Sequence, residues 1–548
     1  MRRLAFGSAL VILVAVVVGS AAARPGSLVM APVAASGSSP LASPPCSATP
    51  GTGSTLQPTP ELFPNSEVEP WVDVSPVDGD GDSIVGDVVA GLYQQDRWSN
   101  GGARDNVASI SFNGGSTWQQ ITFTGLTECG GGEFDRNTDP WLSFAPNGDL
   151  HLMHLVLDIV PPPGQEGGFG PNAMIAQKIP AAAFADGFIA PGEISAPITL
   201  ARDDEGDLHD KNSMTADPTN SNRVYAVWDF LTIPEGHQLN PERGFGNLIG
   251  FGFKSVTLFT RSLDAGASWS KPKIIYNPGG NNQTIGNQIV VGPDGTLFNF
   301  FDEILNFRND DHGPQFDLNL SMIRSTDQGT TWLPSGRPIR IADMNAILIR
   351  DPDQPTAPRA RDRHRAADLN PEVAVDPNNG NLYAVWQDAR FSGFVHNDIA
   401  FTMSTDGGRT WSAPIKLNQT PASATGHNGH AFTPSVHVLP NGTNGTIGVS
   451  YYDFRNNVPG GGTSTDHWLV HCHPGIENCA SAGSWGDPSD EVRVTPASFD
   501  SRQAPVAGGF FLGDYAGLDD DGTNFTAFFA EGVGPGNPTD VFYAEVSE

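Results

Sequence analysis

Short apolar stretches alternate with turn-forming residues along most of the chain. One such stretch, Val373 to Val375, is followed by an Asp-Pro-Asn-Asn-Gly turn and by a second stretch from Leu382 to Trp386. Short apolar runs bounded by Pro, Asn and Gly are typical of β-strands joined as hairpins. The same sequence of runs and turns returns several times, so we expect repeated units of four antiparallel strands, which we label a to d.

A phrase of the form S-x-D-x-G-x-[ST]-W recurs between the predicted strands c and d. It occurs at residues 262–269, 325–332 and 404–411, and a weaker copy with Asn113 in place of Asp lies at 111–118. An Asp or Asn side chain accepts hydrogen bonds from backbone N–H groups just ahead of it, and Gly supplies a positive φ. The Trp then begins the next strand and buries a large ring. The phrase therefore predicts a tight c–d hairpin.

Repeated four-stranded units are typical of a β-propeller, an all-β fold. We count seven units, and their innermost strands begin near Trp71, Trp141, Met214, Ile289, Val373, Val436 and Phe510. In the seventh unit we predict strands over 509–518, 525–530 and 541–546 but no strand d. An N-terminal segment around residues 56–63 would supply it and close the ring. Six blades with an appendage is the alternative count.

The N-terminal region has the features of an export signal. Arg2 and Arg3 precede an apolar run that ends before a small-residue cleavage site at 21–23, so we predict a signal peptide over 1–23. Residues 24–60 are rich in Ala, Ser, Pro and Gly and indicate a leader or linker, and the propeller would occupy 61–548. The protein is then secreted and extracellular.

Four cysteines in an exported protein predict two disulfides. Cys472 and Cys479 are close in sequence and are expected to pair, which leaves Cys46 for Cys129. The alternative is a metal site built from Cys472 and the histidines beside it, which is less common in an oxidising compartment.

The formal net charge of −31 argues against nucleic acid or an anionic membrane as the partner. We expect a monomer that binds an extracellular glycan or another polar small ligand. The basic residues are unevenly spread, and one run lies just before unit 5: Arg359, Arg361, Arg363 and Arg365. A solvated loop explains this run, and a patch for a carboxylate or sulfate group is the alternative.

In a propeller the b–c and d–a loops share one face, and on this face polar residues from several units would converge. We expect Asp388, Asp453 and Tyr452 to be catalytic. The expected ligand-binding residues are Arg136, Glu372, Arg390, Arg455 and Arg502. The further polar residues on this face are Asp139, His209, Asp210, Lys211, His427 and His430 at the d–a entries, and Asp229, Asp302 and Glu303 where the b–c loops begin. Convergence of this kind suits acid/base work or the binding of a polar ligand. Ion pairing between units is the alternative explanation.

From about residue 61 to the end, the four Asp-turn phrases resemble the BNR repeats, or Asp-boxes, of sialidase-like propellers. The resemblance implies a sialidase-type site, with three arginines on the substrate carboxylate, an Asp acid/base and a Tyr nucleophile polarised by Glu. Such enzymes usually have six blades and carry an Arg-Ile-Pro phrase in the first inner strand, where this chain has Val68-Glu69-Pro70-Trp71.

Three functions are therefore carried forward. The first is a glycan-binding propeller with hydrolysis left open, the second a true exo-sialidase or related glycosidase, and the third a non-catalytic protein-interaction propeller. We expect no cofactor. A structural Ca²⁺ is the alternative at two acidic a–b turns, residues 78–82 and 519–522, where plain turns are favoured.

Overall fold

The computed structural model describes residues 28–41, 46, 60–78, 86–159, 170–204, 206–232, 254–310, 313–354, 363–366, 370–458, 460, 462–487 and 489–548. The predicted signal peptide, most of residues 42–59, the predicted acidic turn from residue 79 onward, and Arg359 and Arg361 lie outside these ranges.

The described part of the chain is built from β-strands that pair as antiparallel hairpins. After β1 (Val33–Ala34), unit 1 contains β2 (Leu62–Val74), β3 (Val89–Trp98), β4 (Ala103–Ser111) and β5 (Gln119–Thr122). Unit 2 contains β6 (Arg136–Phe144), β7 (Leu150–Leu157), β8 (Asn172–Ile179) and β9 (Ile198–Asp203). Unit 3 contains β10 (Leu208–Ala216), β11 (Val224–Thr232), β12 (Lys254–Ser262) and β13 (Lys273–Tyr276).

The remaining units follow the same order. Unit 4 contains β14 (Gln283–Val291), β15 (Leu297–Asp310), β16 (Gly313–Ser325) and β17 (Ile339–Asp343), and two short strands follow it, β18 (Ile349–Arg350) and β19 (Arg363–Arg365). Unit 5 contains β20 (Glu372–Val375), β21 (Leu382–Asp388), β22 (Asp398–Ser404) and β23 (Ile415–Lys416). Unit 6 contains β24 (Ala431–Leu439), β25 (Thr446–Asp453), β26 (Ser464–Cys472) and β27 (Glu491–Arg493), with β28 (Phe499–Asp500) beside β26.

The last part of the chain contains β29 (Phe510–Phe511), β30 (Gly517–Asp520), β31 (Phe525–Gly534) and β32 (Asn537–Val546). The described helical elements are single 3₁₀ turns at Glu128–Gly130, Ala181–Phe184, Pro191–Glu193, Arg390–Ser392, Gly426–Gly429, Ala482–Trp485 and Ser501–Gln503. Within the described ranges, no helix has the length and apolar character needed to cross a membrane. The predicted all-β class is confirmed.

Contacts between the first strands run from one unit to the next. In the described residues β2 contacts β6, β6 contacts β10, and the series continues through β14, β20 and β24 to β30, which contacts β2 again. β30 of unit 7 therefore lies beside β2 of unit 1.

The structure corrects the predicted strand d of the last unit. Residues 62–63 belong to β2 of unit 1, and the outer strand of unit 7 is β1, in which Val33 pairs with Tyr543 and Ala34 with Phe542. Ala35 and Leu41 are buried against Val541 and Tyr543. An N-terminal strand therefore completes unit 7, but it lies within the stretch expected to be leader.

The first strand of unit 7 also differs from the prediction. The predicted strand over 509–518 is divided in two: Phe510–Phe511 pairs in parallel with Arg365 and its neighbour in a separate small sheet, and β30 begins only at Gly517.

The four recurring phrases form the turns between the third and fourth strands of units 1, 3, 4 and 5. In unit 4, Asp327 Oδ1 accepts from the backbone N–H of Thr331 at 2.8 Å, and Gly329 N–H donates to Ser325 Oγ at 2.8 Å. Gly329 has a positive φ of 78°, and a Cβ at this position would collide with the ring of Phe259 in the third strand of unit 3. These turns therefore pack closely against the preceding unit, as well as reversing the chain.

Both predicted disulfides are present. Cys472 pairs with Cys479 and Cys46 with Cys129. The second bond joins the N-terminal segment to unit 1, and the first excludes Cys472 from the metal site considered as its alternative.

Candidate functional site

A bulge interrupts strand pairing near the beginning of several first strands. Its residue has positive φ in Glu69 of β2 (54°), Asp139 of β6 (47°) and Lys211 of β10 (44°). Pairing with the second strand shifts register at each of these positions. Bulges redirect side chains out of the regular ladder, and here they point toward the neighbouring first strands.

The redirected side chains meet at the ammonium group of Lys211. Its Nζ lies 2.7 Å from Asp514 Oδ2, 3.6 Å from Glu69 Oε1 and 3.7 Å from Asp139 Oδ2. Asp210 accepts from the backbone N–H of Lys211 at 3.0 Å. These five residues form the Lys211 cluster, and they come from units 1, 2 and 3 and from the segment leading into unit 7. These side chains therefore lie where the first strands of units 1, 2, 3 and 7 approach one another.

Arginines extend the cluster. Arg365 Nη2 lies 2.6 Å from Asp514 Oδ2, and its guanidinium stacks over Phe511 at 4.3 Å from the ring centroid. Arg97 lies over Phe511 as well, at 5.2 Å, and donates to Gln94, which in turn contacts Glu69. One member of the predicted arginine run thus binds a carboxylate of the protein itself.

Aromatic side chains pack beside the cluster. Trp71 stacks on Trp141 with a centroid distance of 3.7 Å, and Tyr515 packs edge-on against Trp141 at 5.5 Å. The Tyr515 hydroxyl donates to the carbonyl of Pro140 at 2.9 Å. Trp71 is half-buried and Trp141 is buried, so the charged groups stand next to an aromatic surface.

The carboxyl groups of the cluster differ in acidity. Burial raises the pKa of Glu69 to about 7, against the opposing charge of Lys211, and raises that of Asp210 to about 7 as well. Burial also acts to raise the pKa of Asp514, but Arg365 and Lys211 outweigh it and hold that pKa below its ordinary value. The cluster therefore places a carboxyl group that titrates near neutrality beside one that stays ionised.

Glu372, a predicted ligand-binding residue, lies on the first strand of unit 5. Its Oε2 accepts from Gln288 Nε2 at 2.8 Å, and burial raises its pKa to about 8. Glu372, Glu69, Asp139 and Asp514 all act electrostatically on Tyr515. Glu372 thus faces the same inner region as the Lys211 cluster.

Each of the four predicted arginines has its own partners. Arg136 donates to Asn100 and to the carbonyl of Gly101 and lies over Trp98. Arg390 pairs with Asp388, and Arg455 with Asp453 and Glu491. Arg502 lies 3.3 Å from Asp500 and 3.8 Å from Asp351. The inter-residue contacts that the structure describes join none of these arginines to the Lys211 cluster.

The three predicted catalytic residues are buried. Asp388 accepts from Trp386 Nε1 at 2.9 Å as well as from Arg390. Asp453 accepts from Thr420 at 2.7 Å in addition to Arg455, and burial raises its pKa to about 6. The hydroxyl of Tyr452 bonds to the backbone of Ala530, in unit 7. The Tyr452 contact joins units 6 and 7, and Thr420 lies in the segment between units 5 and 6. The ion pairs of Asp388 and Asp453, by contrast, each lie within one unit and do not link neighbouring units.

Tyr–Glu pairs of the kind implied by the sialidase resemblance occur twice. The Tyr451 hydroxyl donates to Glu491, with Arg455 beside both, and the Tyr276 hydroxyl donates to Glu303, which also binds Arg340 at 2.6 Å. Burial and Glu491 raise the pKa of Tyr451 well above its ordinary value. Arg455 covers the pair and stacks on Trp468 at 3.7 Å. The Tyr276–Glu303 pair joins the outer strand of unit 3 to the second strand of unit 4, whereas Tyr451 and Glu491 both belong to unit 6, so the two pairs are not equivalent positions of a repeat.

Sequence reasoning named Asp139, Asp210 and Lys211 at the d–a entries but missed Glu69 and Asp514 as members of the site. One signal was present for Glu69, a charged residue inside the apolar stretch that begins unit 1. Asp514 had no such signal. Residues 509–518 were predicted as one strand, but the structure forms no strand at Asp514, so its place beside Lys211 did not follow from the prediction.

No protein-family model and no curated protein matches the chain. Among solved structures, a protein of unknown function from Dyadobacter fermentans is 12% identical with a TM-score of 0.42, and the match covers 88% of this chain and 94% of that one. The Hadza microbial sialidase Hz136 is 12% identical with a TM-score of 0.44, over 85% and 74% of the two chains. An α-L-arabinanase of Penicillium chrysogenum, solved with arabinobiose, is 12% identical with a TM-score of 0.36, over 75% and 93%. These values are too low for the function of any of these three proteins to be assigned to this chain.

Proposed function

We propose that the protein is a secreted, seven-bladed β-propeller of sialidase-like type that binds an extracellular glycan at the Lys211 cluster. The observation that carries the proposal is that Lys211 lies close to three carboxylates. Two of them belong to strands β2 and β6, and the third lies just before β30. The closed series of contacts from β2 through β30 and back to β2 supports the seven-bladed architecture.

The position of the cluster supports a ligand site. Asp139 and Lys211 lie in the first halves of their strands, toward the end where the d–a loops enter, and Glu69 lies just past the middle of the longer strand β2. The innermost ends of propeller blades come together around the axis, where residues from many units can contact one small molecule. Lys211 keeps 13% of its side chain exposed and Arg365 keeps 22%, so two cations are within reach of solvent.

The chemistry of the cluster supports a sugar as the ligand. Sugar hydroxyls both donate and accept hydrogen bonds, and the cluster offers acceptors (Asp139, Glu69) and donors (Lys211, Arg365) side by side. The aromatic surface of Trp71 and Trp141 supplies the apolar contact that a pyranose or furanose ring needs on its C–H face.

Hydrolysis at the same site is the second candidate, and the split acidity of Glu69 and Asp514 favours it. Glycoside hydrolases use one protonated and one ionised carboxyl group on either side of the scissile bond. Glu69, with its pKa of about 7, suits the proton donor, and Asp514 the ionised partner. Both contact the same Lys211 Nζ, so they stand close enough to act on one bond.

The remaining alternative is an exo-sialidase site built from Arg136, Arg390, Arg455 and Arg502. In that site Asp388 or Asp453 would be the acid, with Tyr452 nearby. It requires these arginines to release their present partners and converge on the carboxylate of a sialoside.

Glycan-array binding by the full secreted chain tests the first proposal, and turnover of a panel of fluorogenic sialosides and neutral glycosides tests the second. We expect binding that Lys211→Met abolishes and that Lys178→Met preserves, since Lys178 pairs with Asp149 away from the cluster. Glu69→Gln should stop turnover with binding retained. If the folded wild-type chain bound no glycan, the proposal would be overturned. Turnover that survives Lys211→Met but not Arg390→Ala or Arg455→Ala would move the site to the arginines.

A further inference from the structure

A second group of polar side chains lies at the opposite end of the first strands. It consists of His437 on β24, Asp519 and Asp520 on β30, and Asp73 on β2. Asp73 stands four residues beyond Glu69 on β2, about 13 Å away at the usual rise of a strand. The group therefore belongs to a different region from the Lys211 cluster, and the proposed function does not use it.

The ligand atoms of this group are close together. His437 Nε2 lies 2.7 Å from Asp520 Oδ2 and 3.3 Å from Asp519 Oδ1. All three atoms lie within 4.8 Å of one another, and no other group of three His, Cys, Asp or Glu side chains in the described ranges meets this condition. The carboxyl group of Asp73 is in hydrogen-bond contact with that of Asp519.

Backbone N–H groups orient the carboxylates. Val74 N–H donates to Asp519 Oδ2 at 2.7 Å, Gly522 N–H to Asp520 Oδ1 at 2.7 Å, and Phe144 N–H to Asp73 Oδ2 at 2.8 Å. In Asp519 and Asp520 the second oxygen is left facing His437. Hydrogen bonds of this kind hold metal ligands in position in known metal sites.

We propose that His437, Asp519 and Asp520, with Asp73 alongside, bind a divalent transition-metal cation such as Zn²⁺ or Mn²⁺. One imidazole nitrogen and two or three carboxylate oxygens are ligands that these metals accept, whereas Ca²⁺ and Mg²⁺ favour oxygen ligands alone. Three acidic groups packed around one histidine also gain from a bound cation, because it offsets their mutual repulsion.

The ligand atoms are accessible to a cation from solvent, and a bound cation would link neighbouring units. His437 is 27% exposed, Asp519 13% and Asp520 15%, so the ligand atoms are reachable from solvent. The ligands belong to units 6, 7 and 1, which are the units that meet where the two ends of the chain come together. A bound metal would join these units and stabilise the closed arrangement.

Calorimetric titration and thermal unfolding of the EDTA-treated full chain test this site. With ZnCl₂ or MnCl₂ we expect one cation per chain and an increase in Tm of several degrees, and with CaCl₂ little change. His437→Ala and Asp520→Asn should weaken binding by about tenfold or more. The matched control is His473→Ala, because His473 also pairs with a carboxylate, that of Glu548 at 3.8 Å, outside the group; its binding should equal that of the wild type.

Two results would overturn the site: no rise in Tm with either transition metal, or equal affinity in the wild type, His437→Ala and Asp520→Asn. If the variants fail to fold, electron spin-echo spectroscopy of Mn²⁺ bound to wild-type chain labelled with ¹⁵N-histidine decides the matter. Coupling to a histidine nitrogen is expected, and a Mn²⁺ signal without it refutes the site.

Discussion

Lys211 Nζ and Asp514 Oδ2 lie 2.7 Å apart, although 303 residues separate them in the chain. The contact joins the first strand of unit 3 to the entry of unit 7 across the inner side of the molecule. Arg365 binds the same carboxylate oxygen, so Asp514 is held by two cations from different parts of the chain. We therefore expect this charge pair to stabilise the folded chain and, under the proposed function, to affect ligand binding as well.

Removal of the Lys211 charge tests whether the cluster stabilises the folded chain. Lys211→Met removes the ammonium group that Glu69 and Asp139 contact, while Asp514 keeps Arg365, and we expect the free energy of unfolding to fall by about 3 kcal/mol. Lys178→Met, at the more exposed Lys178–Asp149 pair, should cost less than about 1 kcal/mol. Urea denaturation of both variants measures the two losses, and equal losses would show that the cluster contributes no more than an ordinary surface pair.

The raised pKa of Glu372 makes the free energy of unfolding depend on pH, and the substitution Glu372→Gln should remove this contribution. Its pKa is raised to about 8 in the folded chain and is near 4.5 when unfolded. The folded state therefore holds the proton more tightly, and this stabilisation, present below pH 4.5, is lost as the pH rises through 8. Between pH 5 and 8, Glu372→Gln should gain stability relative to the wild type, on the order of 3 kcal/mol.

Urea midpoints at several pH values measure this change. Glu133→Gln is the control, since Glu133 is an exposed partner of Arg202, and it should follow the wild-type curve. A Glu372→Gln curve parallel to that of the wild type would contradict the assignment.

The c–d turn of unit 4 should depend on one carboxylate. Asp327 accepts from the backbone and hydroxyl of Thr331 and from Ser325, and these bonds lower its pKa to about 2. Its stabilising contribution is present above the ordinary pKa of Asp and is lost as the pH falls through about 2. Asp327→Ala should lower the Tm measurably at pH 7.

Asp327→Asn is the matched variant, because the unit 1 turn already contains Asn113, whose Oδ1 accepts from Thr117 N–H at 2.9 Å. It should retain most of the Tm that the alanine variant loses. Circular dichroism melting curves compare the three proteins, and an alanine variant as stable as the asparagine one would rule out the hydrogen bonds as the cause.

The seam between units 1 and 7 should be sensitive to a single methyl group. A Cβ at Gly91 of β3 would lie 2.1 Å from the ring of Phe528 in β31. Gly91→Ala must displace that ring, and we expect a loss of about 2 kcal/mol in the free energy of unfolding. Gly280→Ala meets no atom within 4 Å and should change stability by less than about 0.5 kcal/mol. Chemical denaturation checks both, and a neutral Gly91→Ala would indicate that the two units are not packed closely in solution.

Local patterns in the sequence were sufficient to predict the hairpins within the units and their recurring turns. The alternating runs around Tyr383 and Phe401, the recurring Asp-turn phrases and the two disulfides all correspond to observed features. Strand pairing within a hairpin depends on residues near one another in the chain, so a local pattern is enough to predict it.

The outer strand of unit 7 could not be predicted from local patterns. Val33 and Ala34 lie in a stretch rich in Ala, Ser and Pro, with no apolar alternation to indicate a strand. They become a strand because they pair with the edge that β32 presents, which lies about 500 residues away in the chain.

Local patterns were enough to predict the all-β class, the repeated four-stranded units, the cysteine pairs and the polar residues at the d–a entries. The meeting of Glu69 and Asp514 with Lys211 depends on the fold, whereas Arg390 and Arg455 pair with carboxylates only two residues away. Backbone hydrogen bonds, turns and such close pairs act between residues near one another in the chain. The charge pairing of Lys211 acts through space, between residues that the folding of whole units brings together.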